Sequence, residues 1–273
     1  MSLTENLIRV TGKDYLSHSA ISAYSRCSEQ FRLERIEKIP TTGSWAMFGG
    51  KVFHTASEYL DKAQVLTVQR AVEDAWAHEE KHSASLDSLR PGGRGKVENG
   101  DWWRDFLPTA LQRYADWVQG RLDAGWDWLQ VGGKPGIEFS VRGQIGGVPA
   151  LGYVDRAMVS PDGQVFLIDL KTGKSRSQEQ LDVYAHLMWQ TYQIMPSFTQ
   201  IFDGRKAEIT ETWPVRDESR LAGWWAPVAD GISSELFAPS PSPQVCSWCD
   251  VKPYCRLNGN PDLINSTVTS ESE

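Results

Sequence analysis

The chain has 273 residues, 40% hydrophobic and 23% charged, the balance of a water-soluble globular protein with enough length for a sizeable core. Its formal net charge of −7 argues against a coat protein that binds nucleic acid through bulk positive charge. An enzyme acting on nucleic acid stays compatible, because carboxylates that hold metal ions count as negative. No apolar run approaches the roughly 20 residues of a membrane span. The opening "MSLTENLIRVTGKDYL" lacks the basic and then apolar pattern of a signal peptide. Both features point to the cytoplasm, where cysteines stay reduced and more often serve as metal or cluster ligands than as bridges.

In chain order, "YLSHSAISAYSRCSEQFRLERIE" predicts a short lead, a cap at Ser17 or Ser19 and a helix with a loose apolar face of Ile21, Tyr24, Phe31 and Ile36. "TTGSWAMFGGKVFHTASEYLDKAQ" reads as a glycine-rich loop entering a second helix at about Gly50. Residues 81–100 are rich in Ser, Gly and charge and read as a mobile loop; a Trp-studded amphipathic helix follows, with Pro108 near its start or kinking it. The period then changes. "GIEFSVRGQIGGVPALGYVDRAMVSPDGQVFLIDLKTGK" predicts a three-stranded meander. A helix over 178–194, strands near 198–202 and 206–213, and a helix over 217–236 follow. The linker "APSPSPQ" then delivers the chain to "VCSWCDVKPYC".

The turn "SPDG" centres the second hairpin of the meander on Asp162. Symmetric pairing about it makes Asp155 and Asp169 cross-strand neighbours, about 5 Å apart at Cβ, with Lys171 on the same face. Two adjacent carboxylates repel unless a divalent cation or a proton joins them, and such an oxygen pair suits Mg or Mn. The lysine would orient a water or balance phosphate charge. An isolated Asp-x-Lys reads as a strand-end salt bridge; the matching Asp155 raises it above that. Gln180 and Tyr184 stand one helical turn apart. They read alone as a capping amide and a core tyrosine, or beside a metal as groups that bind a phosphate backbone or hold the lysine. His54 would supply a nitrogen ligand favouring Mn over Mg, or is an ordinary packed histidine. Glu58, one turn beyond it, and Glu138, near the start of the first strand, are candidates to support the ligands from behind. Glu138 is equally a further ligand or an edge-strand glutamate.

Cys246, Cys249 and Cys255 form Cys-x2-Cys-x5-Cys, and Cys27 stands in the first expected helix. Four thiolates suit either zinc or a 4Fe-4S cluster.

Taken in order, "LSHSAISAYSRC", "GGKVFHTASE", "IEFSV", "GYVDRAMV", "IDLKTGK", "QLDVY" and "CSWCDVKPYC" resemble the RecB-type branch of the PD-(D/E)XK nucleases. The likeness is to the iron-sulfur exonucleases of the CRISPR-associated and phage recombination group. It implies an α/β restriction-endonuclease-like core, a central mixed sheet flanked by helices, with an iron-sulfur clasp joining the N- and C-terminal regions. It implies one nuclease domain over 1–255: a helical part at 17–130, a catalytic core at 136–237, and a cysteine-rich segment at 244–256 joined to Cys27. A flexible tail at 257–273 follows. His54, Asp155, Asp169 and the Leu170 carbonyl would bind Mn or Mg, Lys171 would be the catalytic lysine, and Gln180 with Tyr184 would match the family's Gln-x3-Tyr motif. Cys27, Cys246, Cys249 and Cys255 would hold a 4Fe-4S cluster, with zinc the alternative; Ser28 follows Cys27 where family members often carry proline. The implied activity is exonucleolytic hydrolysis at linear DNA ends in recombination, repair or phage DNA metabolism, in a bacterial or phage-infected cell. Recombination or CRISPR-adaptation proteins would be its partners. The alternative is a nuclease-fold protein that binds DNA ends or assists CRISPR adaptation without strong activity of its own.

Overall fold

A computed structural model describes residues 1–83, 85–174 and 176–258. Ser175 of the "TGKSRS" loop and residues 259–273 of the expected tail therefore lie outside the described residues. The chain is α/β, with a central mixed sheet and two compact units, one formed by residues 42–141 and 153–216, the other by 1–41, 142–152 and 217 onward.

In the first unit, helices α4 (Trp45–Asp61), α5 (Val68–Lys81) and α6 (Gly100–Asp123) precede the strands. Helix α4 begins five residues before the expected Gly50, because the Ser44 side chain accepts the Met47 N–H as an N-cap. Gly49 lies inside the helix for a packing reason. A Cβ there would fall 2.1 Å from Trp103 Cδ2 on α6, so the two helices approach only because that position lacks a side chain. Residues 86–98 are pinned, contrary to the mobile-loop expectation: Trp45 N–H donates to the Arg90 carbonyl, and Arg205 binds Glu98 with both terminal nitrogens. Short polar runs hide such tertiary anchors from any periodicity.

The six-stranded sheet has the order β1-β5-β6-β7-β8, with β4 also on β5. Its strands are β1 (Asp127–Trp128), β4 (Ile137–Ile145), β5 (Val148–Val159), β6 (Val165–Lys171), β7 (Phe198–Asp203) and β8 (Glu208–Pro214). A two-stranded ribbon of β2 (Gln130–Val131) and β3 (Lys134–Pro135) stands apart. β1, β2 and β3 are too short to carry a period and escape sequence reading. β5 and β6 pair antiparallel with Arg156 opposite Ile168 and Val159 opposite Val165, the register centred on Asp162. β6 and β7 are parallel and joined by α7 (Gln178–Tyr192), which packs on both. On the other side, Ile168, Leu170 and Phe202 join Phe53, Trp103, Leu107 and Tyr114 in one core. β6 is thus covered on both faces, which explains its unbroken apolar run.

In the second unit, α1 (Leu3–Thr11) was not foreseen, although "SLTE" at its start is a capping box in which Ser2 and Glu5 bond each other's backbone. Helix α2 (His18–Arg26) ends at Cys27; α3 (Ser28–Phe31) runs into a π-turn over Arg32–Ile36. Both α1 and α2 pack on α8 (Ser219–Ser233), and α9 (Pro243–Cys246) opens the cysteine segment. Among the described residues no helix is long and apolar enough to cross a membrane.

Gly49→Ala tests the α4–α6 contact. Alanine ordinarily favours a helix interior by about 1 kcal/mol, but overpacking against Trp103 costs about 1–3 kcal/mol. The expected net result is a lower urea midpoint. A raised midpoint would show that Trp103 yields freely.

Candidate active site

Four elements deliver the side chains. On α4, His54, Ser57 and Asp61 share a face by helical spacing, and the Ser57 hydroxyl donates to the His54 carbonyl at 2.8 Å. On β4, Glu138 takes a φ of 47°, a conformation uncommon for a residue with a side chain and kept only where surrounding contacts hold it. β5 supplies Asp155; β6 supplies Asp169 and Lys171.

Ligand atoms of His54, Glu138 and Asp155 all lie within 4.8 Å of one another. His54 Nδ1 is 3.8 Å from Glu138 Oε1 and 3.7 Å from Asp155 Oδ1. Its Nε2 lies 2.9 Å from the Leu170 carbonyl, which can only accept, so Nε2 carries hydrogen and Nδ1 is the atom facing the carboxylates. One step outward from the Arg156–Ile168 pair, Asp155 Oδ2 accepts the Leu170 N–H at 2.7 Å. Asp169 is buried. Lys171 Nζ donates to its Oδ1 at 2.9 Å and lies 2.8 Å from Oδ2.

The charges are out of balance. Burial, with Asp155 beside it, pushes the Asp169 carboxyl up to about 6 against the pull of Lys171 and His54. Burial lowers the His54 imidazolium, yet Asp155, Glu138 and Asp169 together outweigh it and raise the pKa. A site that draws protons onto both an acid and a base is short of positive charge, and its mixed N and O donors fit a divalent cation.

Gln180 Nε2 donates to the Tyr184 hydroxyl at 2.8 Å. Burial first, then the charges of Asp155, Asp169 and Glu138, push the Tyr184 phenol up, and it stays neutral. Glu58 instead pairs with Lys62 at 2.6 Å and stands outside the His54–Glu138–Asp155 group. An open cleft borders the site, lined by Met47, Lys51, His54, Leu170, Lys171 and Thr172. Sequence reading missed Arg156, Asp61 and Tyr114, which bond one another behind Glu138. The available signal was period two, which places Arg156 on the face of the apolar Val154 and Met158.

In the second unit the four cysteines are all free and line one cavity, together with Leu33, Pro239 and Val245. Ser240 N–H points to Cys27 Sγ at 3.5 Å. Burial pushes the Cys249 thiol up, followed by the charges of Glu34, Cys27 and Cys246, against the Val251 backbone hydrogen bond. Just past Cys255, Arg256 binds Glu29, which also takes Arg32.

A buried strand ending on Asp-x-Lys, an aspartate from the paired strand and a histidine from a packed helix define a nuclease built around a metal-binding carboxylate site. The chain belongs to the PD-(D/E)XK nuclease superfamily, whose pattern it matches over residues 15–256. It is 26% identical to the Gene 69 protein of Mycobacterium phage L5, over 88% of this chain and 95% of that one. It is 24% identical to the Gene 69 protein of Mycobacterium phage D29, over the same shares. Among solved structures it is similar to one described as a "Putative exonuclease" from Eubacterium rectale, with a TM-score of 0.46, 12% identity and 92% of each chain covered.

The anchor beside the cysteines responds to acid. Burial pushes Glu29 up, but the hydrogen bonds and charges of Arg32 and Arg256 prevail and hold it at about 2, below the ordinary 4.5. A carboxyl depressed in this way contributes stability that is complete above about pH 4.5 and lost as pH falls toward 2. Between pH 6 and pH 3 the unfolding free energy should therefore fall more steeply in wild type than in Glu29→Gln. Parallel slopes would remove Glu29 from that role.

Proposed function

We propose that this protein is a divalent-metal-dependent exonuclease that hydrolyses phosphodiester bonds at linear DNA ends. The observation that carries the reading is the His54–Glu138–Asp155 group, with Asp169 paired to Lys171 on the neighbouring strand and an open cleft beside them. A bound Mn or Mg ion supplies Lewis-acid polarisation of the phosphoryl oxygen and acidifies the attacking water. His54 Nδ1, Glu138, Asp155 and Asp169 would hold the ion. The Leu170 carbonyl keeps His54 in the required tautomer through Nε2 or joins the ligands directly. Lys171, fixed by Asp169, orients the water and steadies charge that develops on the phosphate. Gln180 and Tyr184 present a neutral amide–phenol pair to the DNA backbone, and Lys51 offers a cation along the cleft. The mycobacteriophage relatives favour a place in phage DNA metabolism.

The four cysteines hold a 4Fe-4S cluster in this reading. Four free thiols around one cavity match that donor set, as they match zinc, and the family resemblance favours iron. The cluster is structural, tying residues 246–255 to Cys27.

With end-labelled linear DNA and Mn, wild type should release nucleotides, and Asp169→Ala or Lys171→Ala should slow release by on the order of 10²–10⁴. Closed circular DNA should resist. Retention of DNA ends without degradation by wild type would favour the end-binding alternative, and equal cutting of circles would overturn exonuclease action.

Freshly purified protein should show a broad visible absorption that Cys27→Ser abolishes, together with faster proteolysis of the cysteine segment. Colourless protein with bound zinc would replace iron, and a cluster-free preparation that stays folded and active with Mn would remove the structural role.

A further inference from the structure

Behind the proposed metal seat lies a charge that this mechanism leaves unused. Arg156 is wholly buried, a placement that is costly for a cation unless it is fully paired. Every side of its guanidinium is occupied. Nε donates to Asp61 Oδ2 at 2.6 Å and to the Tyr114 hydroxyl at 3.0 Å, and Tyr114 itself donates to that Asp61 oxygen. Nη2 donates to Ser57 Oγ at 2.8 Å. Nη1 donates to Glu138 Oε1 at 3.0 Å and to the Asp155 carbonyl at 2.7 Å.

Three of these contacts lead back to the site. Glu138 and Asp155 belong to the triad itself, and Ser57 passes its own hydrogen to the His54 carbonyl. Glu138 also sits at a positive φ that its own backbone does not favour, so something must hold it there, and its side chain is gripped by Arg156. Asp61 is nearly as buried as Arg156 and cancels much of the guanidinium charge. Glu138 therefore shares the guanidinium with Asp61 instead of neutralising it alone.

We infer that Arg156 is a positioning residue for the metal: its fixed fork holds Glu138 and the Asp155 backbone in the arrangement that a divalent cation requires, with Asp61 as its counter-charge. The inference rests on reading His54, Glu138 and Asp155 as the cation seat. A lysine at 156 keeps the charge but loses the fork. Groups that orient metal ligands from behind typically change affinity by about 10–100-fold when altered.

The experiment is a Mn titration of the full-length protein without DNA, followed by calorimetry and by the EPR signal of free Mn. Arg156→Lys should weaken binding by about 10–100-fold. It should weaken it by a smaller factor in a Glu138→Gln background, because part of the effect runs through Glu138 and the rest through the Asp155 backbone. Nuclease activity of Arg156→Lys should return at high Mn, shifting the Mn requirement more than the saturated rate. Wild-type affinity in Arg156→Lys would overturn the inference, whatever the variant's melting temperature. If Arg156→Lys does not fold, Asp61→Asn decides. It throws the whole guanidinium charge onto Glu138 and should weaken Mn binding by about 10-fold, and unchanged affinity there would overturn the inference. No Mn binding by wild type would instead strike the reading of the seat itself, and the role of Arg156 with it.

Discussion

Two carboxylates brought close together from neighbouring buried strands repel each other, and much of the first unit answers that repulsion. The β5–β6 register ends at Arg156–Ile168, just short of Asp155 and Asp169, and the charge of Asp155 acts on the buried Asp169. Lys171 reaches back to Asp169 from the same strand, and His54 arrives from α4 with Nδ1 facing the acids. Even so the balance stays negative: burial and Asp155 push the Asp169 carboxyl up, and the three acids raise the His54 pKa. A cation site is created by making every other solution expensive.

Holding such a site requires rigidity that a strand end does not have by itself. Here it comes from the helical layer. Phe53, Trp103 and Tyr114 pack against Leu170 and Phe202, so the backbone that carries the acids is clamped by the helix that carries His54. Gly49 permits the close approach of α4 to α6. The polar side of the same interface is the Arg156–Asp61–Tyr114 group. Buried ion pairs of this kind add little net stability, but breaking one by removing a partner costs about 3–5 kcal/mol. Their use is to specify one arrangement, and here that arrangement includes Glu138.

The second unit solves a different problem. Its cysteine segment has little apolar surface, with Trp248 and Tyr254 exposed and Val251 its buried residue, so hydrophobic packing alone does not hold it. The Glu29–Arg256 ion pair ties it to α3.

How much could be read beforehand follows from the range of each signal. Local patterns located α7, β5, β6, β7, β8 and α8 and the register about Asp162, because period, turn chemistry and strand alternation act within a few residues. The same reading brought out Asp155, Asp169, Lys171 and His54 as candidates. It placed the start of α4 too late, took a pinned loop for a mobile one and passed over α1. It also passed over Arg156: period two puts it on the apolar face of Val154 and Met158, but the groups that neutralise it come from other elements. Which residues share a strand face was therefore determined by sequence alone. Which way the strained Glu138 points, which nitrogen of His54 faces the acids and what neutralises Arg156 were decided only by the tertiary structure. Those depend on groups from α4, α6, β4 and β5 brought together by packing, and no local pattern encodes a contact between elements a hundred residues apart.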